Sequence, residues 1–238
     1  MNEKRGQSAV SERTGIGLRN ERSLHAAIRH WYARPGDKFE VEVDGFIIDI
    51  VRDSVLIEIQ TKNLSAIRAK LRSLSRNHTV HLVYPIPKEK WIVRVARAGG
   101  TMIGRRKSPK KGGLTDLFDE LVAIPDLINE DNFTMEVLMI LEEEARCDDG
   151  RGSWWRRGMS IADRRLIDVV ERRRFVNKHD FGIFLPPGLC QPFSNKMLAR
   201  SADLSQSESQ RITYCLKKMG AIREVGKRGN ELLFETAV

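Results

Sequence analysis

FIIDIVRDSVLIEIQ, residues 46–60, sets two short apolar runs, FIIDIV (46–51) and VLIEIQ (55–60), on either side of Arg52-Asp53-Ser54. Runs rich in Ile and Val around a polar triplet read as adjacent β-strands. With the triplet closing a tight hairpin, residue numbers pair to a constant sum and Asp49 falls directly across from Glu58. Like charges directly opposite on a sheet are destabilising by up to about 1 kcal/mol. Carboxylates among Ile and Val are also costly to desolvate unless paired or bound to a cation. Positive charge is therefore expected between them, and a divalent metal with oxygen ligands from both side chains is its simplest source.

Upstream, KFEVEV (38–43) alternates strictly and Asp44-Gly45 is a strong hairpin turn. That turn puts Phe39, Val41 and Val43 on a core face with Ile50, Ile48 and Phe46, and pairs Glu40 with Asp49 on the other. From about Leu18 to Trp31, Leu24, Ala27, Ile28 and Trp31 recur at helical spacing until Pro35-Gly36, giving an amphipathic helix that carries Glu21. Downstream, Leu64, Ile67, Leu71 and Leu74 form the stripe of a second helix, with Arg68, Lys70, Arg72 and Arg76 elsewhere on it. Strands resume at TVHLVY (79–84) and KWIVRV (90–95). The order helix, three strands, helix, two strands describes an α/β domain with a mixed sheet.

Between Gly104 and Gly113, RRKSPKKG places Arg105, Arg106, Lys107, Lys110 and Lys111 in a loop, either a solvated turn or an arm that contacts phosphate. Residues 115–128 look helical up to Pro125, and 132–146 read equally well as strand or helix. The Gly-rich, charged stretch 147–160 is expected to be a linker, separating a domain at 17–146 from one at 161–238; residues 1–16 are expected to be a disordered start. In that stretch Trp154 and Trp155 either stack on bases or, the reading preferred here, pack a domain junction. The amphipathic segment 161–175 reads as a helix. FSNKMLARSADL (193–204) begins another, followed by a helix opened by a Ser205/Glu208 capping box and stopped at Gly220. Two short strands around Lys227-Arg228-Gly229-Asn230 complete the order of a winged helix-turn-helix. In that motif the second helix reads DNA through its first residues, here Gln206, Ser207, Ser209 and Gln210, and the wing rides the backbone with Lys227 and Arg228. A small helical packing domain, or a winged helix used for protein contacts, would follow the same order.

The formal net charge of the 238 residues is +9, unevenly placed: residues 1–150 hold 24 Lys/Arg against 23 Asp/Glu, and 151–238 hold 17 against 9. A basic module on a nearly neutral one suggests a polyanion partner, most often nucleic acid. Cys147, Cys190 and Cys215 are widely spaced without a CxxC pair, so neither a disulfide framework nor a zinc site is indicated. The N-terminus lacks the apolar core of a signal peptide and no run is long enough to span a bilayer, so a cytoplasmic protein with no membrane partner is expected. The histidines lack ligand spacing, and no G-x-x-x-x-G-K-[ST] or G-x-S-x-G sequence is present, which leaves P-loop hydrolysis and triad esterase chemistry unsupported.

Asp49, eight intervening residues and Glu58-Ile59-Gln60, with this order of elements over roughly residues 18–95, resemble the PD-(D/E)XK nuclease superfamily, whose fold is shared by restriction endonucleases and archaeal-type Holliday junction resolvases. The resemblance implies a restriction-endonuclease-like mixed sheet flanked by helices, to which the small winged-helix domain is joined. It also implies that Asp49, Glu58 and the main-chain carbonyl of Ile59 hold Mg²⁺ or Mn²⁺, with Glu21 as an outer ligand or helper acid. Ile48 stands where the family often has Pro, and Gln60 where it usually has Lys. A neutral amide can orient water but cannot act as a base. Lys62 would share a face with Glu58 and Gln60 if the strand continued, and would enter the next helix if it ended at Thr61. A metal-dependent DNA endonuclease, dimeric if it cuts both strands, is the leading expectation. The alternatives are a nuclease-like DNA-binding or regulatory protein without catalysis and a protein-interaction module. For the acid pair itself the alternatives are a solvated sheet edge or pairing with Arg from a neighbouring helix.

Overall fold

The computed structural model describes residues 19–96 and 100–237, and side chains from residue 23 onward. The expected disordered start and the side chain of Glu21 lie outside the described residues. Helix α1 (Arg19–Tyr32) is followed by strands β1 (Lys38–Val43), β2 (Phe46–Arg52) and β3 (Val55–Ile59). They form the antiparallel meander that the two turn signals require, with Val43 opposite Phe46 and Arg52 opposite Val55. Helix α2 (Leu64–Leu74) then crosses over so that β4 (Thr79–Val95) runs parallel to β3. The two strands expected at 79–84 and 90–95 are one long strand. Pro85 and Pro87 interrupt it in sequence only, because they fall between the end of the β3 pairing at Val83 and the start of the β5 (Met102–Lys107) pairing at Trp91. An open edge tolerates a residue that has no N–H to donate.

A short helix α3 (Phe118–Leu121) leads to β6 (Phe133–Asp148), parallel to β4, and β7 (Met159–Phe175) returns antiparallel to it. The result is an α/β protein with a mixed sheet of seven strands, order β1-β2-β3-β4-β6-β7 with β5 also on β4, flanked by helices. Leu24, Ile28 and Tyr32 of α1 bury one face with Ile50, Ile57 and Ile59, while α2 and α3 cover the other through Leu64, Leu71, Phe118 and Leu121.

Four expectations are corrected. Residues 105–107 belong to β5 rather than to a loop. The face of β1 expected in the core is half exposed at Phe39, because β1 is the sheet edge and no described strand pairs outside it. Residues 161–175 are a strand: Glu143 and Glu144 of β6 lie opposite Arg165 and Arg164, and Arg172 reaches Glu136 at 2.7 Å, so charge complementarity across the hairpin overrides the helical period. The expected linker at 147–160 is therefore the tip of the β6–β7 hairpin, and Trp154 and Trp155 pack no domain junction there.

The chain leaves the sheet at Phe175, which stacks on Phe181 at 4.4 Å between ring centroids; Phe184 packs edge-on to Phe118 at 4.7 Å. Helices α4 (Asn195–Ser201) and α5 (Gln206–Met219) and the hairpin of β8 (Ile222–Arg228) with β9 (Glu231–Thr236) follow. A bridge joins Phe193 to Phe234 of β9. Ile212, Cys215 and Leu216 of α5 continue the core on the α2 and α3 side of the sheet. The capping box forms as read: Ser205 Oγ accepts from Glu208 N–H at 3.2 Å and Glu208 Oε2 accepts from Ser205 N–H at 2.7 Å. Ser205→Ala is expected to cost about 1 kcal/mol of stability in urea unfolding, since it leaves an orphan N–H at the helix start; an unchanged midpoint would show the cap to be idle.

Candidate functional site

The β2–β3 ladder is short, pairing Ile50 with Ile57, Val51 with Leu56 and Arg52 with Val55, and then the strands part. Gln60 N–H is spent on Val83 of β4, so the N–H of Ile59 faces the side that β2 has vacated. A buried N–H needs a partner. Asp49 supplies it, its Oδ2 accepting from Ile59 at 2.8 Å. Across the hairpin, between the Phe39/Ile50 and Val41/Ile48 pairs, Glu40 takes a positive φ of 52°, and its carboxylate turns to Arg29 of α1 at 2.6 Å.

Each acid of the central pair meets a cation from a helix. His25 Nε2 of α1 lies 3.1 Å from Asp49 Oδ2, and this bond holds the imidazole above its ordinary pKa against the burial that would lower it. Lys70 of α2 places its ammonium 2.6 Å from Glu58 Oε1 and 2.6 Å from the carbonyl of Ile47. Glu58 is only 7 % exposed. Burial first, and the Asp49 charge second, push its carboxyl up to about 7 despite Lys70. Its second oxygen, Oε2, is buried and has no hydrogen-bond partner.

Lys70 and His25 were not singled out from the sequence, although a signal was present. Lys70 is three residues after Ile67 and four before Leu74, and His25 is beside Leu24 and three before Ile28. Both border the apolar stripe of their helix, where a long or polar side chain can lean over the sheet. Of the other expected site residues, Gln60 turns its amide to the carbonyls of Lys62 and Asn63, at 2.6 and 3.4 Å. Lys62 stands beyond the end of β3, so it does not share a strand face with Glu58. Among the described residues no three His, Cys, Asp or Glu side chains are arranged to hold a metal ion. The oxygens that could serve one are those of the Asp49 and Glu58 carboxylates, of which Glu58 Oε2 is buried without a hydrogen-bond partner. Hard oxygen donors, one or two carboxylates with the remainder water, suit Mg²⁺.

A recess of 410 Å³ opens at the carboxyl end of β3, over the free edge of β4, where ligands of open α/β sheets are commonly held. Lys62, Lys90, Lys110, Arg146 and Arg164 line it, with Asp116 and the fully buried Glu142. Lys90 lies 2.8 Å from both Glu142 and Glu144. The far wall is the loop after β5, fastened by Gly112 N–H to the Pro87 carbonyl at 3.1 Å; a Cβ at Gly112 would lie 2.3 Å from that oxygen. Arg105 and Lys107 are drawn to Glu143 and Glu89 at 2.6 Å each and flank Trp91, while Lys111 is exposed.

In the C-terminal elements, Gln206, Ser207 and Gln210 are exposed at the start of α5, and Lys227 and Arg228 at the hairpin tip. Ser209 is fully buried with its hydroxyl on the Gln206 carbonyl at 2.9 Å, so it is not presented with the others.

A second polar cluster ties α1 to the sheet. Tyr32 donates to Glu136 Oε2 at 2.6 Å and, having no further proton, accepts from His81 Nε2 at 3.0 Å. Arg172 closes on Glu136 and lies over the rings of Trp31 and Tyr32 at 5.5 Å.

From α1 to the end of β7, residues 22–176 match the family described as a domain of unknown function, DUF8091. The chain belongs to the DUF8091 family. The DUF8091 match ends where β7 ends, and the C-terminal helices and hairpin extend beyond it. An uncharacterised protein of Treponema pallidum (strain Nichols) is 29 % identical over 228 residues, covering 92 % of this chain and 86 % of that protein. No solved structure matches. No described helix is long and apolar enough to cross a membrane.

Proposed function

We propose that this chain is a metal-dependent DNA endonuclease in which Lys70, rather than Gln60, brings the positive charge to the scissile phosphate. The observation that carries the reading is the Asp49/Glu58 pair at the parting of β2 and β3, with an orphan carboxylate oxygen and an ammonium 2.6 Å from its neighbour. The succession α1, antiparallel β1–β2–β3, α2, then β4 parallel to β3 supports the likeness to the PD-(D/E)XK superfamily. Asp49 and Glu58 would hold Mg²⁺ or Mn²⁺, together with the Ile59 carbonyl. Bound there, such an ion neutralises charge on a phosphodiester and lowers the pKa of a water.

Lys70 is held between Glu58 and Ile47, so its ammonium is positioned before substrate arrives. His25 keeps Asp49 oriented through its 3.1 Å contact. The recess at the carboxyl end of β3 takes the DNA backbone, and α4, α5 and the β8–β9 hairpin act as a winged helix-turn-helix that sets duplex into it through Gln206, Ser207, Gln210, Lys227 and Arg228. Two such chains would be needed to cut both strands.

One observation favours a second reading, a DNA-binding scaffold without catalysis: each acid already has its own cation, His25 for Asp49 and Lys70 for Glu58. Supercoiled plasmid incubated with the full chain separates the two. Nicking or linearisation that needs Mg²⁺ or Mn²⁺, stops with chelator and disappears in Asp49→Ala, while gel-shift binding survives, is the expected result. Binding without cleavage establishes the scaffold. Loss of any salt-dependent complex between about 50 and 200 mM salt removes both.

A further inference from the structure

The tip of the β6–β7 hairpin holds an exposed aromatic pair that the proposed catalytic site does not use. Trp154 and Trp155 are 79 % and 86 % exposed and stand edge to face at 4.5 Å. The tip is a built loop: Gly152 N–H donates to the Gly158 carbonyl at 2.7 Å, and a Cβ at Gly152 would lie 1.8 Å from the Met159 carbonyl oxygen. Two largely exposed indoles on a closed loop are costly apolar surface, with no described residue of this chain covering them.

What surrounds them is cationic. A recess of 510 Å³ below Trp155 is lined by Arg94, Arg106, Arg146, Arg156 and Arg157 against a single carboxylate, Asp148. Arg146 also lines the recess at the end of β3, so the two recesses adjoin at that side chain. Glu58 is level with Leu82 on β4 and the tip begins past Val95, a run of about 40 Å at the usual rise of a strand. That is roughly one turn of duplex, about 12 base pairs at 3.4 Å each.

We propose that the Trp154/Trp155 tip is a stacking platform for unpaired bases, so that the DNA handled by this chain carries a single-stranded segment about one helical turn from Asp49 and Glu58. The arginines supply backbone affinity and the indole faces select the strand state, because a paired base inside a duplex has no free face to offer. The distance to the acid pair rests on the nuclease reading, while the stacking platform does not. The arginine-lined recess beneath the indoles, adjoining at Arg146 the one at the end of β3, favours nucleic acid over an anionic membrane surface, which Trp and Arg would also suit.

The test is fluorescence anisotropy in chelator with a labelled oligo-dT of about 20 nucleotides and a blunt duplex of similar length, on the full chain. Trp154→Ala/Trp155→Ala is expected to weaken oligo-dT binding roughly 10- to 100-fold and to change duplex binding by less than about 3-fold. Arg156→Ala/Arg157→Ala is expected to weaken both and to lower the salt slope by about 2. Equal loss on both DNAs, or no loss on either, overturns the platform, as does Trp-dependent binding to phosphatidylserine vesicles with oligo-dT binding intact. Because no metal is present, a chain that never cleaves still reports on the tip. Circular dichroism of the variants separates misfolding from loss of contact, and Trp154→Phe/Trp155→Phe, which keeps aromatic faces, is expected to recover most of the oligo-dT affinity.

Discussion

Glu58→Gln is expected to lower metal-dependent plasmid cleavage by about 10²-fold or more while leaving DNA binding intact, and Lys70→Met to cause a loss of similar order, the scale seen when one electrostatic contact to a transition state is removed. The two variants differ in how they respond to pH. Burial, and then the Asp49 charge, raise the Glu58 carboxyl to about 7, with Lys70 working against them. Below that value the group is protonated and holds a cation poorly, so wild-type cleavage should rise as pH climbs through about 7. Lys70→Met removes the charge that favours ionisation, so its residual cleavage should rise at higher pH than wild type. An unmoved midpoint would show that the Lys70 charge does not act on Glu58, and an undiminished cleavage rate at high pH would overturn its assignment to the phosphate. Stability should run the other way. With the folded value above the unfolded one, the contribution of Glu58 is fully present below about 4.5 and is lost as pH rises through about 7.

Glu136→Gln is expected to destabilise the fold by about 3 kcal/mol at pH 7 in urea unfolding. Burial alone would raise the Glu136 carboxyl, but hydrogen bonds from His81, Arg172 and Tyr32 outweigh it and hold the group at about 2. A folded value below the unfolded one contributes stability above about 4.5 that is lost as pH falls through about 2. The gap between wild type and Glu136→Gln should therefore close between pH 4.5 and 2, and a gap that stays constant would show that the charge contributes nothing. Tyr32 and Arg172 fasten α1 to β6 and β7, and α1 carries His25 to Asp49. The same variant should thus also reduce cleavage, through position rather than chemistry.

The meander was legible because its signals are local: strict alternation in 38–43, Asp44-Gly45 as a turn, and a polar triplet before 55–59. Both helices flanking it and the α5 capping box were legible for the same reason. The β6–β7 hairpin was not, since an Arg- and Glu-rich strand acquires its identity only opposite its complement, and 161–175 alone carries a period that suits a helix. Trp154 and Trp155 were misjudged with it, because a hairpin tip and a domain junction have the same Gly-rich composition.

For the site, chain order alone determined that Asp49 and Glu58 fall on neighbouring strands and that compensating positive charge must lie close, because hairpin register follows from residue spacing and buried like charges require it. Which positive charge answers, Lys70 and His25 among the described side chains, was decided only by tertiary structure. Side chains on two different helices meet at the parting of two strands there, and separation along the chain carries no record of that meeting.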